Sequence, residues 1–190
     1  MEMRITQGHP LGLHNWDENS LIALGKGQKS YIQTKSMAIK VGNSVPDVSL
    51  QNQAGETVSL KSLLGDKIVV LYFYPKDDTP GCTKEACSFR DSYTVFQEAG
   101  AEVIGVSNDT PSSHQQFANK YQLPFLLLSD SANQARKAFG VPSTLGLLPG
   151  RVTYVIDTDG VVRHIFNSQL NFQGHIDESL KIVQSLTKGA

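Results

Sequence analysis

The stretch "IVVLYFY", from Ile68 to Tyr74, is apolar, β-branched and aromatic from end to end. It is far too short to cross a bilayer and has no helical spacing. A run of this kind reads as a strand covered on both faces. Such a strand needs a sheet with a layer packed on each side. A chain of 190 residues, 39% of them hydrophobic, is long enough to supply both layers around one core.

The rest of the chain provides those layers in alternation. "VSLQNQAGETVSL" (48–60) predicts two short strands around a turn at Ala54-Gly55. From Gly81 to Gly100, Cys82, Ala86, Phe89, Tyr93 and Phe96 fall in steps of four, three, four and three, which marks one helical face ended by Gly100. "AEVIGVS" is a strand. "TPSSHQQFANKY" is a helix with Thr110 as N-cap and Pro111 in its first position. "PFLLLSD" is a further buried strand and "SANQARKAFG" a short helix. "RVTYVIDTDGVVRHIF" is a hairpin turning at Asp157 to Gly160, and "HIDESLKIVQSL" closes the chain with an amphipathic helix. The order predicts a mixed central sheet flanked by helices, a thioredoxin-like α/β arrangement with an N-terminal β extension.

"YPKDDTPGCTKEAC" leaves the end of the central strand and enters a helix, an edge where α/β sheets place their chemistry. Thr79 is the expected N-cap and Pro80 the first helical residue, so Cys82 stands within the first turn. Amide groups there lack intrahelical partners and favour an anion. A thiolate is an anion, which marks Cys82 as an activated nucleophile. Cys87, the second of the chain's two cysteines, lies five residues on. In an intact helix the two Cα atoms stand roughly 8–9 Å apart. A disulfide needs less than about 7 Å. Either the pair never bonds or the start of the helix unwinds when it does. Cys87 falls on the side of the helix shared with Thr83, Arg90, Asp91 and Thr94, away from Phe89 and Phe96. That placement suits a residue attacking after local unfolding better than core filler.

Two cysteines make neither a secreted disulfide framework nor, with histidines at 9, 14, 114, 164 and 175, a zinc spacing. The C-x-x-C motif of ordinary disulfide reductases is missing. A net charge of -1 leaves no electrostatic footprint for nucleic acid or an anionic membrane, and no segment has the length of an integral membrane span. His114 and His164 are read as surface residues, and Tyr72 and Phe89 as packing. Residues 1–36 show no sustained period and are expected to be a loosely ordered tail preceding a domain over 37–190. They lack the apolar core of a signal peptide, and their single arginine beside Glu2, Asp17 and Glu18 is a poor fit to a transit peptide. A leader from an upstream start codon, or a cloning remnant, is the preferred reading. Trp16 belongs to that tail.

P-x-x-x-T-x-x-C, standing here as Pro75, Thr79 and Cys82, resembles the active-site signature of the peroxiredoxins. The second cysteine five residues later, with "YPKDDTPGCTKEACSFRD" as a whole, is similar to the peroxiredoxin Q or bacterioferritin comigratory protein branch. "GAEVIGVSNDTPSSHQQFANKYQLPFLLLSD" and "GVPSTLGLLPGRVTYVIDTDGVVRHIFNSQLNFQGHIDESL" resemble cyanobacterial and chloroplast members. The likeness runs from about residue 39 to the C-terminus. It implies the thioredoxin-like fold and a thiol peroxidase acting on hydrogen peroxide and organic hydroperoxides. Cys82 would be the peroxidatic and Cys87 the resolving cysteine. Thr79 would hydrogen-bond the peroxide and Pro75 would shield the pocket. Arg151 would approach the sulfur from a distant strand, held by Glu85. Thioredoxin or a similar dithiol would be the reductant, with no cofactor, in a monomer. The compartment expected is the cytoplasm, or the chloroplast for a plant or alga. A redox sensor signalling through its unfolded oxidised form uses the same residues. A structural module with an inert cysteine pair would keep its function without Cys82.

Overall fold

A computed structural model describes residues 38–144 and 148–188. The expectations for residues 1–36, Trp16 included, lie outside the described residues. In chain order come β1 (Ser49–Asn52), β2 (Thr57–Ser59), a 3-10 turn (Leu60–Leu63), β3 (Ile68–Phe73), α1 (Pro80–Asp91) and α2 (Tyr93–Glu98). Then follow β4 (Ala101–Ser107), α3 (Pro111–Tyr121), β5 (Leu126–Ser129) and α4 (Gln134–Phe139). A two-residue pair, β6 (Ser143–Thr144) and β7 (Leu148–Pro149), precedes β8 (Val152–Ile156), β9 (Val162–Asn167) and α5 (Phe172–Lys188). The main sheet runs β2-β1-β5-β4-β3-β8-β9. Its β3-β4 and β4-β5 pairs are parallel, and the others antiparallel. This is the mixed, thioredoxin-like sheet expected.

Every residue of β3 is buried, as a strand sandwiched between two layers must be. Val70, Tyr72 and Tyr74 face one core, with Ala86 and Phe89 of α1, Phe96 of α2, Phe117 of α3, and Ile176 and Val183 of α5. Val69, Leu71 and Phe73 face the other, with Leu50, Leu60, Phe139 of α4 and Tyr154 of β8. Tyr72 stacks on Phe89 with ring centroids 4.6 Å apart. Burying one such ring contributes roughly 1.5–3 kcal/mol, so the strand that carries the site is among the firmest parts of the domain.

Four local readings need correction. The helix expected from Gly81 to Gly100 is two helices, broken at Ser92, whose φ of -99° and ψ of 0° leave the helical region. The apolar face survives the break, because Phe89 and Phe96 still meet at 6.0 Å between ring centroids. The last helix starts at Phe172, where the Asn171 side chain accepts from the Gly174 N–H at 3.0 Å. The β6-β7 pair was not expected. His114, read as a surface residue, is fully buried, and the side chain of His164 is only 27% exposed.

Candidate active site

Residues 74–79 carry the chain from β3 to α1, and α3 holds them in place. Asp77 is buried and accepts from the Tyr74 and Ser113 hydroxyls, each at 2.7 Å. His114 Nδ1 lies 2.9 Å from Asp77 Oδ2, and His114 Nε2 lies 3.2 Å from the Leu128 carbonyl. The Asp77 amide donates to Asp109 Oδ2 at 2.9 Å. Burial pushes the Asp77 carboxyl up, but His114, Ser113 and Tyr74 together outweigh it and hold the group below the usual carboxylate range. Asp78 adopts a left-handed conformation, with φ 54°, and accepts from Lys120 Nζ at 2.7 Å and the Tyr121 hydroxyl at 2.6 Å. The loop is therefore pinned to α3 before it delivers Thr79 and Cys82.

Thr79 takes the N-cap position with extended backbone, and Pro80 begins α1. Its side chain does not cap the helix. The hydroxyl donates instead to the Lys76 carbonyl at 3.1 Å. The first-turn amides around Cys82 are thus left uncapped by Thr79, and the threonine oxygen keeps its acceptor capacity. Cys82 is the third residue of the helix and 2% exposed. Arg151, just before β8, donates through Nη2 to Cys82 Sγ at 3.2 Å and through Nη1 to Glu85 Oε2. Its guanidinium carbon sits 4.8 Å from the centroid of the Phe172 ring. Phe172 also presses on Gly81: a Cβ added there would come within 2.8 Å of the ring. Glycine in that turn is what lets α5 close over the start of α1.

Glu85 is completely buried, and burial pushes its carboxyl up to about 8 against the pull of Arg151. Its Oε1 has no hydrogen-bond partner among the described residues and lies 3.7 Å from His175 Nδ1. His175 is fully buried on α5. Its Nε2 is 2.8 Å from the Ser168 carbonyl, which can only accept, so Nε2 carries the proton. Nδ1 then accepts from the Thr153 hydroxyl at 2.7 Å. Burial pulls His175 down to about 4. Below its ordinary value of 6.5 the unfolded chain takes up a proton that the folded chain refuses, so stability falls as pH drops from 6.5 toward 4. This accounts for about 2 kcal/mol lost between pH 7 and pH 5. His175→Gln retains an N–H and a carbonyl for the same partners and does not titrate. Urea unfolding is expected to show that the stability at pH 5 relative to pH 7 is about 2 kcal/mol higher in this variant than in wild type; an equal pH difference in the two proteins rules the histidine contribution out. Glu85 acts with the opposite sign between 4.5 and about 8 and is common to both proteins.

Pro75, Thr79, Cys82 and Arg151 line one cavity of about 530 Å³, walled on its outer side by Leu170 and Phe172. Glu85 stands behind Arg151, and Cys87 stands apart. Cys87 is partly exposed on an unbroken α1, and both sulfurs are unpaired. His175, Thr153 and Phe172 escaped the sequence reading. Their signal, a polar or aromatic residue beside an apolar helical stripe, is too common to single out. His114 was findable: His114, Phe117, Ala118 and Tyr121 share one helical face. Among the described residues no cluster of His, Cys, Asp and Glu could hold a metal ion, and no helix is long and apolar enough to cross a membrane.

The AhpC/TSA family model matches residues 41–165. Chloroplastic peroxiredoxin Q of Populus jackii is 57% identical over 149 residues, 78% of this chain and 70% of that protein. That of Sedum lineare is 53% identical over 164 residues, 85% of this chain and 88% of that one. Among solved structures, the peroxidoxin BcpB of Mycobacterium tuberculosis superposes with a TM-score of 0.72 at 39% identity, covering 78% of this chain and 98% of that chain. A Xanthomonas campestris peroxiredoxin Q gives 0.67 at 31% identity, covering 74% and 91%. Family model, relatives and fold agree: the chain belongs to the AhpC/TSA family, in its peroxiredoxin Q and bacterioferritin comigratory protein branch.

Proposed function

We propose that this protein is a thiol peroxidase that reduces hydrogen peroxide and small organic hydroperoxides through Cys82, with Cys87 and an external dithiol completing the cycle. The contact that carries this reading is Arg151 Nη2 at 3.2 Å from Cys82 Sγ, at the floor of an open cavity. A guanidinium donating to the sulfur already stands where an oxyanion will leave. The Cys82 thiolate attacks one peroxide oxygen; the O–O bond breaks, and the departing oxygen takes a proton and leaves as water or alcohol. Cys82 becomes a sulfenic acid. Thr79, its proton committed to Lys76, accepts a hydrogen bond from the incoming peroxide. Pro75 closes one side of the pocket, and Glu85 holds the fork of Arg151 from behind. The apolar wall of Leu170 and Phe172 suits an alkyl substituent.

The second half of the cycle requires movement. The Cys87 thiol displaces water from the sulfenic acid and forms the Cys82–Cys87 disulfide, which the intact helix spacing of about 8–9 Å forbids. The first turns of α1 must unwind. Thioredoxin or a similar dithiol then restores both thiols by exchange. The chloroplast names of the relatives support the plastid alternative for the compartment. The test is peroxide-dependent NADPH oxidation through thioredoxin and its reductase, with mass spectrometry of the peroxide-treated protein. Wild type is expected to turn over and to show the Cys82–Cys87 linkage. Cys87→Ser is expected to consume a single equivalent of peroxide per chain and then stall. Sustained turnover in that variant, or unlinked sulfurs in the wild type while peroxide is consumed, rejects this cycle.

A further inference from the structure

A second buried arginine stands behind the site. Arg136 of α4 is 7% exposed and does not reach the cavity floor where Arg151 meets Cys82. Its Nη1 donates to the Gly150 carbonyl at 3.0 Å, and its Nη2 donates to the Tyr74 carbonyl. Those two carbonyls belong to the residues immediately preceding Arg151 and Pro75.

The reason an arginine is needed there lies in the sheet. β3 and β8 are antiparallel with Phe73 opposite Val152. Continuing that register sets Pro75 opposite Gly150. Tyr74 points its amide toward β4, donating to Val106 at 3.0 Å, so the next amide to face β8 would be that of residue 75. Proline has none. The proline that walls the pocket therefore ends the β3-β8 ladder one bond early and leaves the Gly150 carbonyl without its strand partner. Arg136 supplies the missing donor and ties the end of β3 to the start of β8 in one planar fork. Gly150 packs closely on Pro142, where an added Cβ would meet the Pro142 carbonyl oxygen at 2.0 Å. α4 is itself anchored, its Ala135 and Arg136 amides donating to the buried Asp130 carboxylate at 3.1 and 2.8 Å.

We propose that Arg136 is a positioning residue for peroxide reduction: by clamping the Tyr74 and Gly150 carbonyls it fixes the distance between the Cys82 loop and the Arg151 guanidinium. The inference rests on the reading of Cys82 as the peroxide nucleophile. A positioning role has its own signature. Misplacing Arg151 weakens oxyanion stabilisation, which peroxide cleavage needs and simple alkylation of the thiol does not.

The experiment compares wild type, Arg136→Met and Arg136→Lys by two rates at one pH: oxidation of Cys82 by hydrogen peroxide, and alkylation of Cys82 by iodoacetamide, read site by site by mass spectrometry. Arg136→Lys retains the buried charge, so it stays folded if Arg136→Met does not, but an ammonium has no planar fork to span both carbonyls. The peroxide rate is expected to fall about tenfold to a hundredfold in Arg136→Met and about fivefold or more in Arg136→Lys, with alkylation within about threefold of wild type. Peroxide rates that match wild type in the folded variants, or peroxide and alkylation rates falling in parallel, overturn the proposal. A wild type inert to peroxide removes the peroxidase reading itself, and this one with it.

Discussion

Cys82→Ser is expected to reduce peroxide turnover to that of a protein-free blank while leaving the fold intact. The substitution exchanges sulfur for oxygen at a site that is 2% exposed and changes little in volume. The serine oxygen can still accept from Arg151, so α1 and β8 keep their contact. What disappears is the nucleophile: a hydroxyl has no anion within reach at neutral pH, and oxygen does not attack a peroxide bond as a thiolate does. The remaining thiol, Cys87, has neither Arg151 nor the first-turn amides beside it. The measurement is NADPH consumption in the thioredoxin-coupled assay, with circular dichroism to establish folding. Measurable turnover in a folded Cys82→Ser protein would move the chemistry to another residue and end the present account.

The second large effect is expected at Arg151. Replacing it with methionine preserves the packing against Phe172 and removes both donors. A single oxyanion-stabilising donor is worth about 10²–10³ in rate, and this is the loss expected in the second-order oxidation of Cys82 by peroxide. Lysine is expected to do little better. A single ammonium does not reproduce the planar fork that reaches Cys82 Sγ and Glu85 Oε2 together. Stability should suffer less than removal of a buried partner usually implies. Glu85, pushed up to about 8 by burial, mostly holds its proton at neutral pH already and is not left as a bare buried charge when Arg151 goes. Stopped-flow oxidation of Arg151→Met and Arg151→Lys, beside their urea midpoints, separates the two effects. Rates within threefold of wild type would show that Arg151 shapes the pocket without stabilising charge.

The fold was legible because its central strand cannot be read in any other way. An apolar run with no helical period has to be covered twice, and the alternation of helices supplies the cover. The place of the candidate nucleophile was legible for a local reason: Thr79, Pro80 and Cys82 are consecutive enough for a helix start to be read directly, and Cys82 does stand in the first turn of α1. Arg151 and Glu85 were not legible by pattern. Arg151 lies 69 residues from Cys82 and 66 from Glu85 along the chain, and the family resemblance alone pointed to the pair. Arg136 was invisible for a different reason. Its task is set by the register between β3 and β8 and by a missing proline amide, and neither exists until the sheet is assembled. The break at Ser92 carried no glycine or proline to announce it.

That break at Ser92 has a thermodynamic consequence. Helix melting propagates along an uninterrupted hydrogen-bond ladder, because each residue released frees its neighbour. A ladder interrupted between Asp91 and Tyr93 makes α1 and α2 separate cooperative units. Phe96, fully enclosed on α2, stays seated on the sheet while the segment bearing both sulfurs comes undone. The packing beneath α2 is thus kept, and only the core contacts of the first turns of α1, those of Cys82 and Ala86, are given up when the two sulfurs join.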